Sequence, residues 1–425
     1  MKQKIGTIRW RIVALLFFAT TINYIDRQVI GILKPYIAED LGWSEFGYGN
    51  IVSAFQFAYA IGLLLTGRIL DKIGTKLGYT LSIVIWSISG MAHALAKSVF
   101  SFGVARAFLG IGESANFPAA VKTVAEWFPK KERSLATGWF NSGSSIGAIV
   151  APIIVSFITL AYGWKWAFII TGLLGFIWII FWLVLYEIPK KHKKLSKAEF
   201  DFIHQDDVVK KKKSIPWIKL FTYKPTYAIC LSRFVTDWVW WFFLFWIPDF
   251  LNKTQGIDLK EVVLPLIIIY TVAGIGGVYG GLISSNFIRN GRSIDYARKT
   301  SILICAILVV PIILTSYISN LWVVVGLIAL ATAAHQGWAS NIFTVVSDIY
   351  PKNAVASMIG LSGFTGAIGG VISAFFVGLI LQLTNSYFLI FSIAGTAYLL
   401  AWLILKILIP NIGPVVIDDK LSSDK

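Results

Sequence analysis

Charge is scarce in this chain. Only 14% of its 425 residues are Asp, Glu, Lys or Arg, against 56% hydrophobic, whereas a soluble domain carries about 25% charged residues. Together with a mean hydropathy of +0.72, that shortage excludes an ordinary soluble domain and predicts a polytopic membrane protein. Cysteine is almost missing: Cys230 and Cys305 both fall in apolar runs, so no disulfide framework is implied. Four scattered histidines and two cysteines offer no metal-ligand spacing, and no cofactor is expected. No His-Glu-x-x-His pair and no convincing nucleophile–base pair is present, which argues against an enzyme. Acids are outnumbered by bases, 22 to 38, for a net charge of +16. Nucleic acid is rejected as the partner, because the bases gather in alternate loops between apolar runs.

What is present is a succession of apolar stretches, each near the 20 or so residues a membrane helix needs. They cover approximately 10–33, 47–70, 77–96, 99–122, 134–159, 165–187, 226–250, 261–285, 299–318, 321–346, 355–382 and 385–409, twelve in all. One set of loops carries Arg68, Lys72 and Lys76, then Lys130, Lys131 and Arg133, and later Arg289, Arg292, Arg298 and Lys299; the opposite set has only Lys34, Lys97, Lys165, Lys253 and Lys260. By the positive-inside rule both termini are expected to be cytoplasmic. Lys2, Lys4, Arg9 and Arg11 before the first run resemble a signal peptide, but no small-residue cleavage site follows, so an uncleaved first helix is expected. Many of the 17 tryptophans and 16 tyrosines suit membrane interfaces.

The polar connection at 188–225, with Lys190, Lys191, Lys193, Lys194 and Lys210 to Lys213, is expected to be a cytoplasmic linker. It would divide the chain into six-helix halves at 1–187 and 226–409, followed by a cytoplasmic tail at 410–425. An internal repeat supports the division. Gly67, Arg68, Asp71, Lys72, Gly74 and Lys76 follow the second span, while Gly281, Arg289, Gly291 and Arg292 follow the eighth, with Ser285 where an acid would stand. Gly143 and Gly147 in span 5 are echoed by Gly366 and Gly370 in span 11, a spacing that lets helices approach closely. The stretch Gly110, Gly112, Glu113 is not a nucleotide loop, since no strand precedes it and no lysine follows.

Four charges lie inside the apolar spans: Asp26, Arg27, Arg106 and Glu113. Each costs roughly 2.5–3.5 kcal/mol at a bilayer centre, so they must face protein or a water-filled cavity. A structural ion pair is one reading; a charged transport site is the other. Arg106 and Glu113 are seven apart, on one helix face and about 10 Å apart in height. Asp26 and Arg27 are expected at the depth of Arg106, with Asp26 paired to Arg106, Arg27 free, and Glu113 deeper. A substrate carboxylate that takes over an arginine's hydrogen bonds would release the partner acid to bind a proton. Arginine suits this because its planar fork binds carboxylates bidentately. Tyr24, Gln56, Tyr59, Asn141 and Ser144 could complete the site, as could His335, Gln336, Trp338 and Asn341. For each of these, helix packing is an equal reading. Arg233 and Asp237 read equally as functional groups or as a structural i,i+4 pair, and Trp240 and Trp241 as packing or interface residues.

The segment from Gly67 to Lys76 resembles the loop signature of the major facilitator superfamily. Asn23-Tyr24-Ile25-Asp26-Arg27 and Arg106 through Glu113 resemble its anion:cation symporter branch. Phe140-Asn141-Ser142-Gly143, Ala334-His335-Gln336-Gly337-Trp338 and Ser347-Asp348-Ile349-Tyr350-Pro351 are similar to segments of bacterial hexuronate transporters. The resemblance implies twelve helices in two pseudo-symmetric halves working by alternating access, with Asp71 latching a cytoplasmic gate. It implies Arg27 as carboxylate ligand, with Tyr24, Tyr59 and Trp338 shaping the pocket. It implies Asp26 and Glu113 as protonating acids, and Arg106 as the switching partner of Asp26. Two departures bear on the choice of sugar acid: Ser144 stands where some members have glutamine, and Gly363 to Gly366 where some have asparagine.

The leading expectation is a monomeric, proton-coupled importer of glucuronate or galacturonate in the bacterial inner membrane, with the lipid bilayer as its other partner. The alternatives are a carrier of an aldonate or another organic anion, a non-transporting anion sensor, and an intramembrane enzyme. The lack of a soluble output domain argues against the sensor.

Overall fold

The computed structural model describes residues 6–205 and 217–415, without the side chains of Lys130, Lys131, Ser134, Trp217, Ile218, Lys352, Asn353 and Ala356. The expected roles of Lys2, Lys4, Lys210 to Lys213 and the end of the tail lie outside the described residues, as do the side chains of Lys130 and Lys131. Among the described residues the only regular structure is helix. The chain's first part runs α1 (Ile8–Leu41), α2 (Glu45–Ile73), α3 (Thr75–Ala92), α4 (Val99–Glu113), α5 (Asn116–Trp127), α6 (Lys130–Tyr162) and α7 (Trp164–Leu185). The short α8 (Lys197–His204) and α9 (Trp217–Leu220) follow. Then come α10 (Lys224–Gln255), α11 (Val263–Arg289), α12 (Ile294–Val309), α13 (Leu321–Ile349), α14 (Lys352–Thr384) and α15 (Phe388–Leu408).

Among the described residues, ten helices are long and apolar enough to cross a membrane: α1, α2, α6, α7, α10, α11, α12 with its continuation to Tyr317, α13, α14 and α15. This is a multi-pass membrane protein. The expected spans at 77–96 and 99–122 fall on shorter pieces. α3 has 18 residues, and the second is broken into α4 and α5 at Ser114 and Ala115. Several helices overrun the expected apolar limits, because polar ends are carried by capping groups rather than by hydropathy. Ser44 caps α2 by accepting from the Gly47 N–H, and Ser98 closes a capping box on α4, satisfying N–H groups that have no partner within the helix. Between α2 and α3 the chain turns at Gly74, whose φ of +83° is a region that side-chain-bearing residues avoid.

α1 packs on α6, α2 on α4 and α14, α10 on α14, and α11 on α13. At Gly143 and Gly147, an added Cβ would run into the Phe17 and Thr21 carbonyls of α1, so the paired glycines of span 5 do set a close crossing.

The two ends of the bundle are tied differently. At one, Lys34 on α1 bridges Glu45 on α2 (2.7 Å) and Asp249 on α10 (2.5 Å). There Lys253 also pairs with Glu45, Tyr387 donates to Asp249, and the Tyr48 hydroxyl donates to the Phe245 carbonyl at 2.8 Å. These contacts join α1 and α2 to α10 and α15. At the other end, Lys122 on α5 holds Asp71 at 2.7 Å and the Leu70 carbonyl at 2.8 Å, while Arg298 on α12 holds Asp348 on α13 at 2.8 Å. Both of these pairs join neighbouring helices on the same side of the linker. There, too, Arg9 reaches Glu132 (2.9 Å) and Glu199 (3.1 Å), fastening α8 to the starts of α1 and α6.

Candidate functional site

A cavity of about 270 Å3 opens between α1 and α6 on one side and α10, α11 and α13 on the other. Its wall is built from Tyr24, Phe117, Asn141, Ser144, Trp240, Trp241 and Tyr270, with Arg233, Asp237, His335 and Gln336 as further polar groups. Among the sequence candidates, Tyr24, Asn141, Ser144, His335 and Gln336, together with Arg233 and Asp237, therefore reach the cavity. Trp240 and Trp241, expected as packing or interface residues, are on its wall as well. The Ser144 hydroxyl donates to the Asn141 carbonyl at 2.7 Å. His335 stacks flat on Trp240, with ring centroids 5.3 Å apart, and its Nδ1 shares a hydrogen bond with the Tyr398 hydroxyl at 2.5 Å.

Arg27 sits immediately behind this wall. Its guanidinium carbon lies 4.8 Å from the Tyr24 ring, 5.0 Å from Tyr59, 5.2 Å from Trp241 and 5.5 Å from Phe55. Four aromatic faces around one cation stabilise it where water is excluded. Its Nε and Nη2 both donate to Glu113 Oε2, at 2.8 and 2.7 Å, and Nη2 also reaches Asn23 Oδ1 at 3.2 Å. Tyr59 stacks on Phe55 and meets Trp241 edge-on.

This arrangement corrects two expectations. Arg27 is not free, because Glu113 holds it. Asp26 does not pair with Arg106: neither Asp26 oxygen has a hydrogen-bond partner, although the carboxylate faces Thr171 on α7. The reason is helical geometry. Successive residues are about 100° apart around the axis, so Arg27 and Asp26 cannot both face α4. Arg106 and Glu113 do share a face, and both meet Arg27. Arg106 Nη2 donates to the Arg27 carbonyl at 3.0 Å, and its Nε and Nη1 stay unpartnered. The Arg27 side chain reaches Glu113 by running back along α1, where Nη2 also meets Asn23.

Three further candidates lie off the cavity wall. Asn341 donates to the Gly280 and Gly337 carbonyls, both at 2.9 Å, and so ties α11 to α13. Trp338 is 1% exposed and packs edge-on to Tyr398, behind His335. Gln56 is buried against Gly370 of α14 with both amide atoms unpartnered. Gly67 has open space around it, and Asp71 is occupied by Lys122. Phe55 and Trp241 as walls of the Arg27 cage were missed in the sequence; the only signal was the four-residue spacing of Phe55 and Tyr59.

A guanidinium fork of this kind has the geometry to bind a carboxylate bidentately, and here it lies beside a cavity with polar lining. The bundle thus has the form of a carrier for small charged solutes. The Major Facilitator Superfamily model matches residues 16–374, and the chain belongs to that family; it is a transporter and not an enzyme. It is 32% identical to the hexuronate transporter of Escherichia coli (strain K12), over 99% of both chains. It is 31% identical to the "Probable galactarate/D-glucarate transporter" of Bacillus subtilis (strain 168), over 90% of this chain and 87% of that one. Among solved structures, a bacterial homologue of the human lysosomal transporter Spinster, in an inward-facing and occupied conformation, superposes with a TM-score of 0.74. It covers 95% of this chain and 96% of its own at 17% identity, a likeness of fold.

Proposed function

We propose that this protein imports hexuronates such as glucuronate and galacturonate together with protons, by alternating access, as a monomer in the bacterial inner membrane. The observation that carries this reading is the Arg27–Glu113 pair in its aromatic cage beside the cavity. A sugar-acid carboxylate entering past Tyr24 and Trp241 exchanges for Glu113 on the Arg27 fork. Glu113, left in a dry site without its counter-charge, is neutralised by a proton. Substrate and proton are then bound in the same event.

Asp26, buried without a partner, is the second protonating acid in this scheme, and Arg106 holds the backbone of Arg27 while keeping two donor atoms in reserve. Tyr24 and Tyr59 shape the carboxylate end, and Ser144, Asn141 and His335 contact sugar hydroxyls. The arrangement is twelve crossings in two six-helix halves, at 1–187 and 226–409, with α3 and the broken α4–α5 as the third and fourth. Both termini are cytoplasmic. The end tied by Lys34, Glu45 and Asp249 faces outward and is closed; the end bearing Gly67, Asp71 and Gly74 faces the cytoplasm, where Asp71 latches the gate in the other half of the cycle.

Uptake of labelled glucuronate into proteoliposomes, with and without an inward proton gradient, tests the reading. Gradient-dependent accumulation competed by galacturonate is the expected result. Protein that is folded yet takes up no glucuronate overturns the substrate assignment; uptake indifferent to the gradient overturns proton coupling.

A further inference from the structure

Arg233 and Asp237 are unused by the scheme above, yet both line the cavity. Among the described residues on its wall they are the one cation and the one anion. Arg233 Nη2 and Nε meet Asp237 Oδ2 at 2.7 and 2.9 Å, and Nη1 donates to the Ser362 hydroxyl on α14 at 3.1 Å. The acid is seated deliberately: any side chain at Gly366 of α14 would collide with its carboxylate. We propose that this pair reads the hydroxyl-bearing far end of the sugar acid and rejects a second carboxylate there, making the protein selective for monoanionic over dianionic six-carbon acids. The inference rests on the sugar-acid reading of the cavity.

Spacing supports it. Trp241, whose ring lies 5.2 Å from the Arg27 guanidinium, is eight residues beyond Arg233 on α10, which is about 12 Å along the helix. A hexuronate ring places its carboxylate and its far hydroxyl roughly 6 Å apart, and a hydrogen bond of about 3 Å at each end brings its reach to about that separation. A six-carbon acid anchored at Arg27 is thus long enough for its far end to extend toward Asp237 and Arg233, one and two turns of α10 from Trp241.

Charge supplies the selectivity. The pair is neutral as a unit, with side-chain exposures of 16% and 21%. It still offers an acceptor on Asp237 and unused N–H groups on Arg233, since a guanidinium carries five donors. Sugar hydroxyls, which both donate and accept, fit that surface. A second carboxylate finds its cation already neutralised and an anion beside it, and like charges brought together in a low-dielectric site discriminate strongly. Around them the wall is uncharged, through Asn141, Ser144, His335 and Gln336.

The test is a binding titration of purified protein with glucuronate, a monoanion, and glucarate, the dianion with the same carbon count. The wild type is expected to bind glucuronate at least tenfold more tightly. Asp237→Asn, which leaves Arg233 uncompensated, is expected to reduce that preference at least tenfold or invert it. The double variant R233Q/D237N, neutral again, is expected to restore preference for the monoanion. Equal or tighter binding of glucarate by the wild type overturns the inference without any variant. So does a ratio that D237N leaves within twofold while glucuronate still binds. If the folded wild type binds neither acid, the sugar-acid reading falls and takes this inference with it.

Discussion

The two arginine–carboxylate pairs of this protein are built on opposite plans. Arg27 and Glu113 are 86 residues apart, join α1 to α4, and are almost wholly buried, with side-chain exposures of 4% and 0%. Arg233 and Asp237 are one turn apart on α10 and stand on the cavity wall. A pair within one helix forms whenever the helix forms, and contributes only about 0.3–0.5 kcal/mol in water. A buried pair between helices exists only when the bundle does, and removing one member costs about 3–5 kcal/mol. The one-helix plan suits a fixed wall that sorts ligands; the interhelix plan suits a switch whose partners are exchanged.

The sharpest way to break the comparison is Arg27→Ala. It removes the carboxylate's ligand and strands Glu113, so glucuronate affinity is expected to fall at least 100-fold in a binding titration. The double variant R27A/E113Q is expected to recover stability and not affinity, separating the two effects by thermal unfolding. Glu113→Gln is next. Proton-driven accumulation should be lost while exchange of labelled for unlabelled glucuronate survives; unchanged pH-driven accumulation would remove Glu113 from the coupling.

Lys34→Met attacks a third kind of contact, the ion cluster that closes one end. Glu45 and Asp249 would then keep only Lys253, a loss of about 3 kcal/mol from the closed state. A cysteine placed at Tyr48 should become more reactive to impermeant thiol reagents in the K34M background, and equal labelling would show that the cluster does not set closure. The smallest effect on function is expected from Asn341→Ala. Its two hydrogen bonds to α11 carbonyls and to its own helix are structural, so about 1–3 kcal/mol of stability should go while glucuronate affinity stays within threefold.

The membrane class and the positions of ten long helices were legible from apolar length alone, because a bilayer imposes a minimum run. The break of the fourth stretch at Ser114 was not, since hydropathy does not register a two-residue interruption. For the charged groups, Arg106 and Glu113 could be placed on one face from their seven-residue spacing, and Arg27 could be singled out as a buried cation. Its partner could not be read. The choice between Asp26 and Glu113, and between Arg27 and Arg106, depends on the rotation of α1 against α4 and α7, which Gly143 and Gly147 help set by drawing α6 against α1. The choice between packing and cavity for Asn341 and Trp338 could not be read for a related reason: a polar or aromatic residue in a membrane helix has the same sequence signature whether it faces a cavity or a neighbouring carbonyl.

What the sequence determined by itself was a membrane bundle with a few charges too costly to leave in lipid, and a one-helix pair at Arg233 and Asp237 fixed by local geometry. What only the tertiary structure decided was which of those charges meet, which face the cavity and which end is closed. Burial energy depends on composition and length, which one strand of sequence carries. Ion pairing depends on the angle between helices, which is settled only when every helix has packed.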